Sequence, residues 1–291
     1  MNNLIKVITK DGSISFRSEE FNENFHSIFG AYNETKIKFI NPSRLKRFQN
    51  KSINVLDICF GIGYNSALLF ENLIKGLTTL NWYGLEIDKR PLNYALIDKK
   101  FYNLWNPKVI EILKSLNSKG LYKDKNFDCE LIMGDARREI LNLPKEVKFD
   151  LIFLDGFSPQ KCPEIWSYEF LSELKNKIKY EGYLITYTSA AAVRKSLQNL
   201  GFNIFNIMPT LSKKNRWSNG TLATFDMQQN NPYIRLLSEM EIEHLNTKAS
   251  IPYRDPTGEM LSKEILEFRK KEQQFSTLLD TNSWRRKWEM A

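Results

Sequence analysis

Four short segments each carry an apolar run into an acid or a glycine: Val55-Leu56-Asp57-Ile58-Cys59-Phe60-Gly61-Ile62-Gly63, Tyr83-Gly84-Leu85-Glu86-Ile87-Asp88, Ile132-Met133-Gly134-Asp135-Ala136 and Leu154-Asp155-Gly156-Phe157. In the first, Gly61 and Gly63 permit a tight turn and let a ligand approach the backbone closely. Asp57 ahead of that turn suits an ammonium group, held directly or through water, and repels phosphate oxygens that would seek the helix N-terminus. This chemistry fits S-adenosylmethionine, with its methionine portion beside Asp57, Cys59, Gly61, Gly63 and Asn65. The rival is a nicotinamide-linked dehydrogenase. Gly61-x-Gly63-x-x-Ser66 is close to a dinucleotide fingerprint, and Glu86 lies 20 residues beyond Ser66, where a ribose-binding acid belongs. The acid at position 57 favours the methyl donor.

Glu86 has the position and chemistry to accept both ribose hydroxyls, and Asp88 does the same if its strand ends later; otherwise either acid is a helix N-cap or a solvated charge. Asp135 can accept from an adenine amino group while the Ala136 amide donates to a ring nitrogen, or it can cap the helix that begins near Arg137. Asp155 closes an apolar run at the sheet edge where α/β enzymes place their ligands. Methyl transfer needs an acceptor lone pair in line with the bond to sulfur, and an amine acceptor must also lose a proton. Asp155 can orient such an amine and take that proton. Phe157 stacks on a base, covers the donor, or is an ordinary core aromatic.

These acids need strands to deliver them. Short apolar, β-branched-rich runs are expected as strands at Ile53–Ile58, Asn81–Ile87, Ile132–Met133, Phe149–Leu154 and Tyr183–Tyr187, alternating with helical stretches such as 65–76. The alternation implies a doubly wound, mostly parallel α/β sheet. Two further runs, Phe202–Met208 and Thr221–Phe225, lie too close for a crossover helix and should pair antiparallel. The result is a Rossmann-like α/β fold with a terminal antiparallel hairpin, the architecture of class I S-adenosylmethionine-dependent methyltransferases. Domain boundaries are expected at an N-terminal segment 1–50 packed on the core, a methyltransferase core 51–227 and a helical extension 228–291. Within the extension, Leu261, Ile265, Leu266 and Phe268 form an apolar helix face that should dock on the core. Its end, Ser283-Trp284-Arg285-Arg286-Lys287-Trp288, interleaves aromatics with cations, either to grip RNA or to anchor the terminus through the indoles.

Composition narrows the class. With 291 residues, 42% of them hydrophobic, the chain can bury a large core. No apolar run approaches the roughly 20 residues that span a bilayer, and the start lacks a signal peptide's apolar stretch, so the expected location is the cytoplasm without membrane attachment. Cys59, Cys129 and Cys162 sit far apart and the imidazoles are only His26 and His244, so neither a disulfide framework nor a metal is expected. The net charge of +8 suits an anionic partner. From Thr35 to Lys51 there are six cations and no acid, and Lys213, Lys214 and Arg216 form a second cluster. Such clusters touch phosphate or are simply solvated surface.

The block Asp155-Gly156-Phe157-Ser158-Pro159-Gln160-Lys161-Cys162-Pro163-Glu164-Ile165-Trp166 is followed in order by Thr186-Tyr187-Thr188-Ser189-Ala190 and by a Val193-Arg194-to-Gly201-Phe202 block. Together they resemble the MnmC-type tRNA 5-methylaminomethyl-2-thiouridine methyltransferase family. Asp11-Gly12-Ser13 and the segment from Phe25-His26-Ser27 to Glu34 resemble that family's amino-terminal motifs, so the likeness covers roughly Lys10 to Phe225. It implies S-adenosylmethionine as cofactor, Glu34 near the cofactor pocket, and His26 either there or in a structural role. The implied reaction is N-methylation of the aminomethyl group on the wobble uridine of tRNA, read at the anticodon region. Cys59 departs from the family, standing where it usually has the loop's first glycine. The flavin-dependent oxidase domain of the longer members has no room here, so a stand-alone methyltransferase is expected. Competing readings are an aminopropyltransferase related to polyamine synthases or another small-amine methyltransferase, and a non-catalytic RNA-binding protein.

Overall fold

The computed structural model describes residues 3–208, 220–228 and 230–289. Its strands are β1 (Leu4–Ile8), β2 (Ile14–Ser18), β3 (Glu23–Asn24), β4 (Ser52–Ile58), β5 (Thr79–Glu86), β6 (Leu121–Lys123), β7 (Phe127–Met133), β8 (Phe149–Leu154), β9 (Ile178–Thr186), β10 (Asn203–Ile207), β11 (Thr221–Thr224) and β12 (Ile234–Leu236). The last nine form one sheet in the order β12-β10-β11-β9-β8-β4-β5-β7-β6. Within it β7, β5, β4, β8 and β9 run parallel, while β11, β10 and β12 on one flank and β6 on the other pair antiparallel. The expected parallel sheet with an antiparallel hairpin is therefore the observed one.

The central strands are buried on both faces, as parallel strands sandwiched by helices must be: in β4 Val55, Leu56, Asp57 and Ile58 are all at 0% exposure. Two strands are longer than the apolar runs suggest. β7 begins at Phe127 because Phe127, Cys129 and Leu131 point inward while Asp128 and Glu130 face out, an alternation suited to a strand near the sheet edge. β9 begins at Ile178, which pairs with Phe149 across a register shift before Leu151 meets Tyr183. Gly182 fills the irregularity, since a Cβ there would lie 2.8 Å from the Phe149 carbonyl oxygen.

One core cluster lies on each face of the sheet. The first packs Phe70 of the helix Tyr64–Leu73 and Ile112 of the helix Pro107–Lys119 with Ile14, Phe16 and Phe39 of the amino-terminal segment. That segment carries a separate antiparallel meander, β1-β2-β3, which the apolar pattern did not disclose. The second packs helices Ala136–Asn142, Tyr168–Lys177 and Ala191–Asn199 together with Tyr253 and Ile265.

The carboxy-terminal residues contribute differently from their pattern. The sheet continues past position 228, because β12 adds to β10. In the helix Ser262–Phe275, Ile265 is buried and Leu266 packs beside it, but Leu261 and Phe268 are 69% and 41% exposed. Leu261 is the cap residue and stands outside the helix, so the apolar face is narrower than the spacing implied. The final aromatics face inward. Trp284 is buried and donates its indole N–H to the Met240 carbonyl at 3.1 Å, and Trp288 donates to Glu243 at 2.9 Å.

Candidate active site

A cavity of about 780 Å³ opens at the carboxyl ends of β4 and β8. From β4 the chain crosses to β5 on one side, and from β8 to β9 on the other, so the cavity sits at the sheet's topological switch point. Its lower wall includes Cys59, Gly61, Glu86, Asp88, Asp155, Phe157 and Tyr187; its upper wall comes from the amino-terminal segment and includes Arg17, Phe21, Phe25, His26, Glu34 and Lys38.

The glycine turn is built by three left-handed residues, Cys59 (φ 61), Gly61 (φ 57) and Gly63 (φ 90). Glycine is required at 63, because a Cβ there would come within 2.5 Å of the Phe60 ring. Cys59 adopts a left-handed conformation that costs a side-chain-bearing residue about 1–2 kcal/mol. Gly61 donates its N–H to the Glu86 carboxylate at 2.6 Å, tying the turn to the end of β5. The same carboxylate accepts from the Ile87 and Asp88 amides, both at 2.8 Å. Burial pushes the Glu86 pKa up, and the three amides partly offset this. Asp88 is held instead by the Arg90 guanidinium, at 2.8 Å from Nε and 2.7 Å from Nη2.

Asp57 is wholly buried behind the turn rather than on the wall. Ser66 donates to its Oδ2 at 2.5 Å, while Oδ1 has no partner. Burial, with the nearby Asp155 and Glu86 charges, pushes its pKa up to about 8. Asn65 also stands behind the wall and donates to Asp155 Oδ2 at 2.7 Å. Asp155 is pushed up to about 7 by burial and by the Glu34 charge, against the opposing effects of Asn65 and Lys38. Burial would raise Glu34 too, but Lys38 at 2.5 Å, His26 and the Ser27 amide at 2.6 Å hold it below the usual range. His26 stays neutral near pH 7: burial lowers it to about 4, and its Nδ1 lies 3.1 Å from the Ser15 hydroxyl.

Gly63, Asp135 and Ala136 are not on the wall. Asp135 caps its helix by accepting from the Arg137 amide at 3.0 Å and is paired with the Arg137 guanidinium at 2.7 Å. Arg137 reaches on to the buried Asp255 at 2.7 Å. Phe157 is not in either core cluster; it stacks on Phe21 with ring centres 4.3 Å apart and meets Phe25 edge-on at 4.9 Å.

In the sequence Lys38 reads only as one cation of the 35–51 run, and Tyr187 and Phe25 only as members of a strand end and motif blocks; Phe21 and Glu23 carry no signature, and the spacing of Glu34 and Lys38, four apart on helical turns, is the one readable pairing signal. Of the cations between 35 and 51, Lys38 and Arg47 turn inward, Arg47 lying 3.7 Å above the Tyr183 ring. Lys36, Lys46 and Lys51 are exposed. The second basic cluster, Lys213, Lys214 and Arg216, lies outside the described residues. Among the described residues, no helix is long and apolar enough to cross a membrane and no group of His, Cys, Asp and Glu is placed to hold a metal ion.

The Glu86 and Asp155 carboxyls on the wall, whose proton affinities burial raises, favour a cationic ligand. The comparisons agree. A family model described as S-adenosyl-L-methionine-dependent methyltransferase matches residues 99–224. The "Uncharacterized protein MJ0670" of Methanocaldococcus jannaschii is 31% identical over 273 residues, which is 91% of this chain and 71% of that protein. The tRNA 5-methylaminomethyl-2-thiouridine biosynthesis bifunctional protein MnmC of Campylobacter hominis is 31% identical over 196 residues, 62% of this chain but only 28% of the relative's length. The crystal structure of MNMC2 from Aquifex aeolicus superposes with a TM-score of 0.79 at 29% identity, covering 94% of this chain and 86% of that one. A spermidine synthase shares the fold alone, at 13% identity and a TM-score of 0.50. Fold, cavity and relatives thus converge: the chain is an S-adenosyl-L-methionine-dependent methyltransferase, similar over most of its length to MNMC2 and, over its catalytic part, to the MnmC proteins.

Proposed function

We propose that this enzyme N-methylates the 5-aminomethyl group of a wobble uridine or 2-thiouridine in tRNA, acting in the cytoplasm and reading the anticodon region. The observation that carries the amine acceptor is Asp155: a carboxyl at the end of β8, on the cavity wall, with a pKa near 7. An alkyl ammonium must give up a proton before its nitrogen can attack, and a base with that affinity does so near neutral pH. The substrate class is suggested by the MnmC relatives, which are named for tRNA 5-methylaminomethyl-2-thiouridine biosynthesis.

S-adenosylmethionine supplies an electrophilic methyl group on a sulfonium. On this reading Glu86, rather than the Arg90-bound Asp88, holds the ribose hydroxyls, and Gly61, Gly63 and Cys59 shape the backbone beside the methionine portion. Asp57 faces the ammonium through water from behind the turn. Asp135 acts as the cap that fixes the Ala136 amide near the adenine, its carboxylate already being committed to Arg137. Asn65 fixes one Asp155 oxygen and leaves the other to accept from the amine. Glu34, kept anionic by Lys38, maintains the proton affinity of Asp155. The upper wall excludes water from the reacting atoms. The segments 1–50 and 228–291 are proposed as additions to a catalytic core at 51–227.

The test is transfer of labelled methyl from S-adenosylmethionine to tRNA carrying 5-aminomethyl-2-thiouridine, followed by nucleoside mass analysis. The expected product is 5-methylaminomethyl-2-thiouridine. Binding of the donor without transfer to this tRNA would overturn the substrate and leave the family.

A further inference from the structure

Resting on the wobble-uridine reading, we infer that Phe21 and Phe157 are the two jaws of a clamp for the acceptor base, one from the amino-terminal meander and one from the catalytic loop. Both rings are half-buried and line the cavity, and neither joins a core cluster. They lie nearly parallel, 19° apart in plane with centres 4.3 Å apart, while Phe25 closes the end of the slot edge-on. Aromatic rings kept at a cavity wall offer flat apolar surface that a nucleobase covers well.

The position suits the chemistry. Phe157 follows Asp155 by two residues, so the ring and the carboxyl belong to a stretch of chain spanning at most about 7 Å. A pyrimidine stacked on Phe157 carries its C5 substituent at the ring edge, and an aminomethyl group extends that edge by two bonds of about 1.5 Å each. The amine is thereby delivered to the Asp155 side of the cavity.

The upper jaw is positioned independently. Phe21 sits in the turn between β2 and β3; the Phe21 amide donates to the Ser18 hydroxyl at 3.3 Å. Arg17 donates to the side-chain oxygen of Asn22 in the same turn. Glu23 at the start of β3 accepts from the Ser158 amide at 2.9 Å, so the meander is fastened to the loop that holds the lower jaw. With the rings in direct contact the slot is closed, and a base enters when they part by about one ring thickness, roughly 3.5 Å. A duplex cannot present a base this way, which selects for an unstacked, single-stranded position such as an anticodon loop.

The experiment compares wild type with Phe21→Ala, Phe21→Tyr and Phe21→Trp, using anticodon stem-loop RNAs carrying either 5-aminomethyluridine or an abasic site at the wobble position. Binding is read by fluorescence anisotropy of end-labelled RNA with S-adenosylhomocysteine present, and turnover by methyl transfer. The clamp predicts that F21A weakens binding of the base-bearing RNA by about tenfold, the loss of one stacking surface. It also predicts that F21Y and F21W restore binding, and that all four proteins bind the abasic RNA alike. The loss should appear in KM for the RNA far more than in kcat. Equal weakening toward both RNAs, or no weakening in F21A, overturns the clamp. If the wild type methylates the base-bearing RNA while F21A matches it, only the clamp fails; if the wild type methylates neither that RNA nor tRNA, the substrate reading itself fails.

Discussion

Asp155 and Asp57 are two aspartates a few residues from one cavity, and their surroundings assign them different work. Asp155 reaches the wall and is held near pH 7, so substitution should act on turnover. Asp155→Ala is expected to retain donor binding but lose at least about a hundredfold in kcat, the usual contribution of a positioned base. In the wild type kcat/KM should fall as pH drops below about 7, where Asp155 is protonated; the pH–rate profile of methyl transfer checks this. Asp57 is buried and its pKa is raised to about 8, against about 3.9 in an unfolded chain. Between those values the folded state binds more protons than the unfolded one, so this group lowers stability as pH rises from about 4 to about 8 and adds no further change above that. Asp57→Asn should therefore gain stability over wild type at pH 8 and lose most of that advantage at pH 5, as thermal melts without ligand would show. Both aspartates were readable from their strand-end positions. Their separate roles were readable too, but their raised proton affinities were not, because these depend on burial and on Glu86 and Glu34 arriving from other parts of the chain.

At the scale of elements, the parallel strands were legible because each ends in a short apolar run close to a glycine, acidic or hydroxyl-bearing turn, although the polar first halves of β7 and β9 hid where those two begin. The meander was not, since β1 has mostly exposed residues and β3 is only two residues long. Yet it supplies the upper wall of the cavity. Its fastening to the catalytic loop runs through Glu23 and the Ser158 amide. Glu23→Ala should leave the central sheet's amide exchange unchanged while raising exchange at Ser158 and in the β2–β3 turn. Hydrogen–deuterium exchange resolves the two regions, and uniform loss of protection would contradict the assignment.

At the scale of the whole molecule, the carboxy-terminal extension is joined to the sheet by a buried network. Arg194, in the helix Ala191–Asn199, lies 3.4 Å from Glu241, and Asn206 of β10 donates to the same carboxylate at 2.6 Å. Arg235, next to β10 on β12, reaches Glu241 at 2.8 Å. Removing one partner of such a pair leaves the other charge buried and uncompensated. Glu241→Ala is expected to cost about 3–5 kcal/mol in chemical denaturation. The change of composition near position 228 gave no sign of this, since a charge-rich segment reads as surface until the opposing Arg194 is placed beneath it.

The bond from the Gly61 amide to Glu86 also bears on the rate of ligand capture. A loop already closed on its own carboxylate has spent its conformational entropy during folding, before any cofactor arrives. Association should then require no slow reorganisation of the turn. Stopped-flow mixing with S-adenosylhomocysteine should give a single phase whose rate rises linearly with ligand concentration, and a plateau would mean that the turn has to rearrange first.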